Sequence, residues 1–281
     1  MIVDYFLIAV GLTGLFFASL FDLKTREVPD WISYALVVSG LGLRLLAALS
    51  GAPWSYFLYG VLGAGLLFAF GMTMYYTRQW GGGDAKLFMG LGAVFATNPF
   101  HDYFLLGLIP QIFLVGVLYG LAWSAFLAVR HRVRFWSAFK NLLMTHTMFH
   151  RLSLGLALAA LVSVFLLTSP FLRFALAISA LFLLLYLYLY LFIKAVEKAC
   201  LYKTIAPSQL VEGDWIAEDV YHQKTLLVSK RTPGIEKPQI EALKKAGIRH
   251  VLVRDGIPFV PPFFLGTLVT LYYGNLFLAL L

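Results

Sequence analysis

The chain consists largely of long apolar runs separated by short polar turns. A helix needs about 20 apolar residues to cross the hydrocarbon core of a bilayer, and by that measure the sequence predicts about eight membrane-spanning segments, with six or seven also compatible. Their approximate ranges are 2–21, 31–49, 54–76, 85–97, 103–129, 152–168, 171–193 and 258–281. The fourth is short, so we expect it to begin within the preceding glycine turn or to cross only part of the bilayer.

One polar stretch, residues 194–257, interrupts the apolar pattern. Within it, "TLLVSK" and "IRHVLVRDG" have the composition of strands, and "KPQIEALKKAG" predicts a short helix that ends at Gly247. The predicted fold class is therefore an all-α polytopic membrane protein with a small cytoplasmic α+β insertion. We expect a transmembrane helix bundle over 1–193 with a basic cytoplasmic loop at 130–151, a soluble α+β domain over 194–257, and a C-terminal transmembrane helix over 258–281.

Composition supports the membrane assignment. Hydrophobic residues make up 60% of the chain and charged residues 13%, whereas a soluble domain averages about half and a quarter. The formal charge of +8 raises the question of a nucleic-acid partner, but no basic stretch is interleaved with stacking aromatic residues. Basic loops that orient a protein in the bilayer explain the charge better. We predict contact with the lipid bilayer and no binding of nucleic acid.

Cysteine and histidine usage gives no indication of a metal centre. Cys200 is the only cysteine, which excludes an intrachain disulfide and a cysteine-rich zinc site. His101, His131, His146 and His150 show no ligand-like spacing beyond the i, i+4 pair of His146 and His150, and that pair has no evident third ligand. We therefore predict neither a metal nor a cofactor.

The lysines and arginines predict the orientation of the chain, because cytoplasmic loops are enriched in them. The loops on one side contain Lys24, Arg26, Arg78, Lys86 and the basic residues of 130–151. The alternate loops "SGAP" and "TNPFHD" contain no lysine or arginine, and Arg173 is the one exception outside the helices. The N-terminus is predicted to lie outside, and the turns after the first and third segments inside.

This topology places Asp22 and Asp84 on the same side, near the cytoplasmic boundary of the membrane. Ionisable residues at membrane depth are costly and usually functional. Two carboxylates brought together share a proton, so that one is a base and the other an acid. Such a pair can hydrolyse a peptide bond by activating water and protonating the carbonyl oxygen. The alternatives are that Asp84 is a helix N-cap and that Asp22 pairs with Lys24 or Arg26 at the interface.

The turn "RQWGGGDAKLFMG" carries further candidate residues. Glycines at 81, 82 and 83 would allow an extended substrate backbone to approach the carboxylate, and could adopt positive φ before a helix. Lys86 either lowers the pKa of a neighbouring carboxylate or anchors the helix at the headgroups.

Two charged residues of the second segment also need an explanation. Asp30 is expected to be the N-cap of the second helix, with a supporting role near the site as the alternative. Arg44 lies within the second segment, where we expect it to snorkel outward or to face the bundle.

The sequences "GGGDAKLFMGLGA" and "FDLKTREVPDWIS" resemble the type IV prepilin peptidases, a family of GxGD membrane aspartyl peptidases. The stretch "LVEGDWIAEDVYHQKTLLVSK" resembles the C-terminal module of the archaeal branch, the prepilin and preflagellin peptidases. The resemblance implies that Asp22 and Asp84 are the catalytic pair, that Gly81 and Gly83 are the motif glycines, and that Lys86 is the family lysine two residues after the motif aspartate.

The same resemblance implies a function. Members of the family cleave precursors of pilins, archaellins and related filament subunits between a basic leader and a hydrophobic helix, at the cytoplasmic side. The paired CxxC motifs of the bacterial branch are missing from this sequence, so we expect no N-methyltransferase activity. Two other functions stay open: an ion-coupled transporter that uses intramembrane aspartates, and a non-catalytic filament assembly factor. A transporter would more often show midplane carboxylates and internal repeats, and no repeat is visible in this sequence.

Overall fold

A computed structural model describes residues 2–97, 104–166, 168–232 and 234–274. The helices in these residues are α1 (Ile2–Thr25), α2 (Asp30–Leu49), α3 (Trp54–Tyr76), α4 (Gly82–Phe95), α5 (Phe104–Arg130), α6 (Arg132–Thr145), α7 (Thr147–Leu166), α8 (Pro170–Val196), α9 (Lys237–Lys245) and α10 (Val260–Tyr273). The strands are β1 (Tyr202–Ile205), β2 (Trp215–Ile216), β3 (Val220–His222), β4 (Thr225–Val228) and β5 (Val251–Arg254). A π-helical turn, Glu197–Leu201, continues α8.

The protein is a polytopic membrane protein, as predicted. Among the described residues, five helices are long and apolar enough to cross a bilayer: α1, α2, α3, α5, and α8 with its extension to Leu201. A sixth crossing results if Arg132–Thr145 and His150–Val164, which are bent by 76° at their junction, form one span. The prediction of about eight segments counted α4 and α10, which have only 14 residues each here. The predicted C-terminal segment continues into residues 275–281, and these lie outside the described part of the chain.

The chain divides into two compact units. Unit 1 comprises Met1–Ala122, Ala206–Val251 and Gly256–Leu281, and unit 2 comprises Trp123–Ile205 and Leu252–Asp255. The candidate site residues predicted from the sequence all belong to unit 1. The predicted domain boundaries at 193 and 257 remain predictions.

Helix α4 forms the centre of unit 1. Its residues Ala85, Leu87, Phe88 and Leu91 are fully buried. Two glycines allow α3 and α4 to approach closely, because a Cβ placed on Gly92 would lie 2.1 Å from the carbonyl oxygen of Gly63. Small residues at such crossings allow membrane helices to pack backbone to backbone. At about 21 Å, a helix of 14 residues is shorter than the hydrocarbon core.

The C-terminal end of α4 is held by Arg44, which is only 2% exposed. Its guanidinium donates hydrogen bonds to the carbonyl oxygens of Ala93 (3.0 Å), Val94 (2.9 Å) and Ala96. The last carbonyls of a helix have no partner within the helix, and within the hydrocarbon core they cannot form hydrogen bonds with water. Of the two expectations for Arg44, the inward-facing one is confirmed, and its role is to satisfy the end of a short helix.

The part of unit 1 that follows α8, residues 206–251 and 256–274, is called the C-terminal segment below. It contains β3 and β4, which form an antiparallel hairpin with positive φ at Gln223 and Lys224 in its turn. Helix α9 buries Ile240 and Leu243 on one face, and Gly247 follows it with φ of 68°. The helix and strands predicted from "KPQIEALKKAG", "TLLVSK" and "IRHVLVRDG" are all present.

Unit 2 has its own apolar core, which includes Phe135, Leu142, Leu187 and Leu191. The predicted basic loop at 130–151 is largely helical, because α6 occupies Arg132–Thr145. Phe135 and Leu142 are spaced seven residues apart, so both lie on one face of α6, and that face is buried.

Candidate active site

Asp22 lies in the last turns of α1 and is only 6% exposed. Its Oδ2 accepts a hydrogen bond of 2.9 Å from the backbone N–H of Val260, the first residue of α10. The first N–H groups of a helix lack partners within the helix and favour a negative charge nearby. The N-terminus of α10 therefore fixes the Asp22 carboxylate and suits its ionised form.

Asp84 lies in the first turn of α4, where the chain leaves the glycine turn. Its Oδ2 accepts a hydrogen bond of 3.0 Å from the backbone N–H of Gly81. Gly81 is the N-cap of α4, so Asp84 occupies the third helical position rather than the cap itself. The residue as a whole is intermediate in exposure.

The two carboxyl groups lie at the same end of unit 1, where α1 ends and α4 begins. Asp22 and Asp84 are close enough for the charge of one to act on the other. Two further groups are within electrostatic range of Asp22: Arg26, which follows α1, and Tyr119 on α5. The arrangement thus contains two acids from separate helices, with a cation and a phenol beside one of them.

The glycine turn differs from the sequence-based expectation. Gly81 has φ of −73°, and no residue from 81 to 83 has positive φ. The interpretation that these glycines supply positive φ is wrong, because the left-handed residue of this turn is Arg78, with φ of 59°. Gly83 instead packs closely, since a Cβ placed on it would lie 3.2 Å from the Cβ of Val28.

Lys86 and Asp30 form an ion pair between α4 and α2. The Lys86 Nζ lies 2.7 Å from both carboxylate oxygens of Asp30. The prediction that Asp30 is the N-cap of α2 is wrong, because the N-cap is Pro29 and no side chain caps that helix. The observed partner of Lys86 is therefore Asp30 rather than Asp22 or Asp84.

An aromatic cluster beneath the site escaped the sequence analysis. Trp80 directly precedes the glycine turn and is 4% exposed. Its ring contacts the rings of Phe70, Phe88, Phe113, Phe259 and Phe263, with centroid distances from 5.1 to 5.9 Å. Phe259 directly precedes Val260, so the cluster joins the turn before Asp84 to the element that binds Asp22. The available signal was a tryptophan beside the motif and the aromatic run "PFVPPFF".

The loop after Asp22 also lies near the C-terminal segment. Burial raises the pKa of Glu27, and the nearby charge of Asp214 raises it further. Among the described residues, no group of three or more His, Cys, Asp or Glu side chains could hold a metal ion, and His101 lies outside those residues. The absence of a cofactor stays a prediction.

Comparison with known proteins finds similarity in the first part of the chain. The model of the type IV leader peptidase family matches residues 9–128, less than half of the chain. This match contains both aspartates and the glycine turn. Over residues 9–128 the chain is similar to the type IV leader peptidase family.

Three archaeal relatives agree with this leader peptidase assignment. A preflagellin peptidase of Methanocaldococcus jannaschii is 36% identical over 85 residues, 30% of this chain and 36% of the relative. A preflagellin peptidase of Methanococcus voltae is 32% identical over 95 residues, 34% of this chain and 40% of the relative. A prepilin peptidase of Methanothermobacter thermautotrophicus is 28% identical over 102 residues, 35% of this chain and 26% of the relative.

The chain thus spans 26–40% of the length of these leader peptidase relatives. No solved structure matches it.

Proposed function

We propose that this protein is a membrane-embedded aspartyl endopeptidase that removes basic leader peptides from prepilin- and preflagellin-type precursors. The observation that carries the proposal is the placement of Asp22 and Asp84, two acids from separate helices, at the same end of unit 1 and within electrostatic range of each other. The names of the archaeal relatives, preflagellin and prepilin peptidase, support the substrate class.

The proposed reaction is direct hydrolysis by the carboxyl pair. The ionised carboxyl takes a proton from a water molecule, whose oxygen attacks the scissile carbonyl carbon. The protonated carboxyl donates its proton to the carbonyl oxygen, as in other pairs of acids that share one proton. Collapse of the tetrahedral intermediate breaks the C–N bond. The leaving nitrogen takes up the proton held by the first carboxyl, and one hydroxyl of the intermediate returns its proton to the second carboxylate. Gly81 and Gly83 keep this turn free of side chains, with Gly81 as the N-cap of the helix that carries Asp84.

We further propose that the N-terminus lies outside the cell and that the aspartates lie near the cytoplasmic face. Lys24, Arg26, Arg78 and Lys86 are all at the end of unit 1 that carries Asp22 and Asp84, and cytoplasmic ends are enriched in such residues. The proposed partners are precursors with a basic leader and a hydrophobic helix, met within the lipid bilayer. Cleavage would fall where that leader meets the helix.

The test is incubation of the purified protein with a prepilin-like precursor. Asp22→Asn and Asp84→Asn should each abolish cleavage while the protein stays inserted, because the reaction needs both carboxyl groups. Asp4→Asn is the matched control, since Asp4 lies on α1 at the opposite end from Asp22 and should leave turnover near the wild-type rate. Retained cleavage in either catalytic variant would remove the pair from the mechanism.

A further inference from the structure

Two arginines occupy helix-end positions that usually carry glycine. Arg78 has φ of 59° and follows α3 and its C-cap, Thr77. Its N–H bonds to the carbonyl of Tyr75, and the N–H of Gln79 bonds to that of Met74. This is the Schellman arrangement, in which the left-handed residue is most often glycine because glycine adopts positive φ without strain.

Arg26 occupies the corresponding position after α1. Its φ is 63°, and its N–H bonds to the carbonyl oxygen of Asp22 at 2.9 Å. This single bond is the simpler left-handed helix ending. The two helix ends concerned are the one that carries Asp22 and the one that leads through the glycine turn to Asp84.

The guanidinium groups of both arginines bond to the C-terminal segment. Arg26 Nη1 donates to the carbonyl oxygen of Gly256 at 3.1 Å, and Arg78 Nη1 donates to that of Lys230 at 2.9 Å. Both acceptors are main-chain atoms. Because left-handed backbone is unfavourable for a residue with a side chain, the presence of arginine at both positions indicates that the guanidinium is needed.

We propose that Arg26 and Arg78 are positioning residues through which the C-terminal segment holds two helix ends, the end of α1 that carries Asp22 and the end of α3 that leads to Asp84. The proposal rests on the proposed function. It gives a role to a part of the chain that lies outside the residues matched by the leader peptidase family, 9–128.

Two further contacts place the C-terminal segment at the same two elements. The N–H of Val260 binds the Asp22 carboxylate, and the rings of Phe259 and Phe263 pack on Trp80 beside the glycine turn. The segment therefore contacts both elements through side chains and main chain, independently of the arginines.

The acceptor of Arg78 is itself fixed in place. Asp219 Oδ1 accepts hydrogen bonds from the N–H of Lys230 at 2.7 Å and from the hydroxyl of Ser229 at 3.1 Å. The bond from the Lys230 N–H lowers the pKa of Asp219, so the carboxylate is ionised at neutral pH and keeps this loop in position.

The decisive variant is Arg78→Gly. Glycine suits the left-handed backbone better than arginine, so the Tm should be unchanged or higher. The loss of the guanidinium should lower kcat by about tenfold or more with little change in KM, because a small displacement of a catalytic group costs rate rather than binding. If Arg78 only supported the fold, the substitution would lower kcat and Tm together.

Lys230→Ala is the matched control, because it removes the side chain and keeps the carbonyl acceptor. It should leave kcat near the wild-type value. Arg78→Gly with wild-type kcat, or with a fall in Tm that accounts for the loss of activity, would overturn the proposal. Arg26→Gly should behave as Arg78→Gly does, although Arg26 also acts on Asp22 by charge, so Arg78 is the cleaner test.

Hydrogen exchange separates this proposal from the proposed function. Amides of residues 79–84 should exchange faster in Arg78→Gly than in wild type and at the wild-type rate in Lys230→Ala, whether or not a precursor is cleaved. Unchanged exchange in Arg78→Gly would overturn the positioning role. A wild-type protein that cleaves no precursor, or full cleavage by Asp22→Asn, would instead overturn the peptidase function.

Discussion

At the residue scale, the two aspartates are held by different parts of the chain. Asp84 binds the N–H of Gly81, three residues before it, whereas Asp22 binds the N–H of Val260, 238 residues after it. Sequence reasoning could select both aspartates, because a carboxylate in an apolar segment is costly and unusual. It could not select Val260, because any residue other than proline can donate a backbone N–H, so the residue type gives no signal. The same limit applies to Arg26 and Arg78, because an arginine in a sequence does not indicate a residue with positive φ.

Lys86 provides a prediction at this scale. Its ion pair with Asp30 is partly exposed, at 34% for the lysine side chain and 54% for the aspartate, so Lys86→Met and Asp30→Asn should each lower the free energy of unfolding by less than about 1 kcal/mol. Because the two residues act as a pair, both variants should also have similar, small effects on kcat. A large loss of kcat in Lys86→Met alone would show instead that the lysine acts on the catalytic carboxyl groups. Denaturation in detergent and the cleavage assay supply the two measurements.

At the element scale, the two ends of the short helix α4 have different roles. Its N-terminal turn carries Asp84, and its C-terminal carbonyls receive the guanidinium of Arg44. From the number of apolar residues alone, the sequence predicted that the fourth segment would begin within the glycine turn or cross only part of the bilayer. It left open whether Arg44 faced lipid or bundle, since its acceptors, the carbonyls of 93, 94 and 96, lie about 50 residues further on. Because α4 packs against α2 and α3, these carbonyls lie beside Arg44, and the side chain faces the bundle.

The crossing of α3 and α4 gives a second prediction. Gly92→Ala should lower the free energy of unfolding by about 1–3 kcal/mol, as overpacking does, because the added methyl group would meet the backbone of Gly63 at 2.1 Å. Gly65→Ala on α3 is the control, since a Cβ there meets nothing within 4 Å and should be neutral or slightly stabilising. Equal stability of the two variants would contradict the close crossing. Thermal denaturation of both purified variants provides the comparison.

At the scale of the whole molecule, hydropathy correctly predicted a polytopic helical membrane protein, but it did not predict the number of membrane spans. Apolar composition specifies a polytopic helical protein, but it does not distinguish a complete crossing from the 14-residue α4. The bend of 76° after α6 follows no proline or glycine pattern in "MTHTMFHR". The elements of the C-terminal segment were predictable from local signals, whereas its contacts with the candidate site were not, because they join distant parts of the chain.

Orientation is a prediction at this scale. In a Cys200→Ala background, Ser55→Cys at the start of α3 should react with a membrane-impermeant maleimide added to intact cells. Gln79→Cys, in the turn before Asp84, should react only after permeabilisation, because basic residues flank that turn. The reverse labelling pattern would contradict an outside N-terminus. Both side chains are exposed, so their accessibility to the reagent is matched.

The central claim is that Asp22 and Asp84 meet at one end of the bundle, and thiol cross-linking tests it most directly. In Cys200→Ala, the pair Asp22→Cys and Asp84→Cys should be bridged within one molecule by a short bismaleimide, seen by mass spectrometry as the addition of one linker. The pair Asp4→Cys and Asp84→Cys should add two separate linkers, because Asp4 lies about 27 Å from Asp22 along α1. Two unbridged linkers on the Asp22 and Asp84 pair would contradict the account.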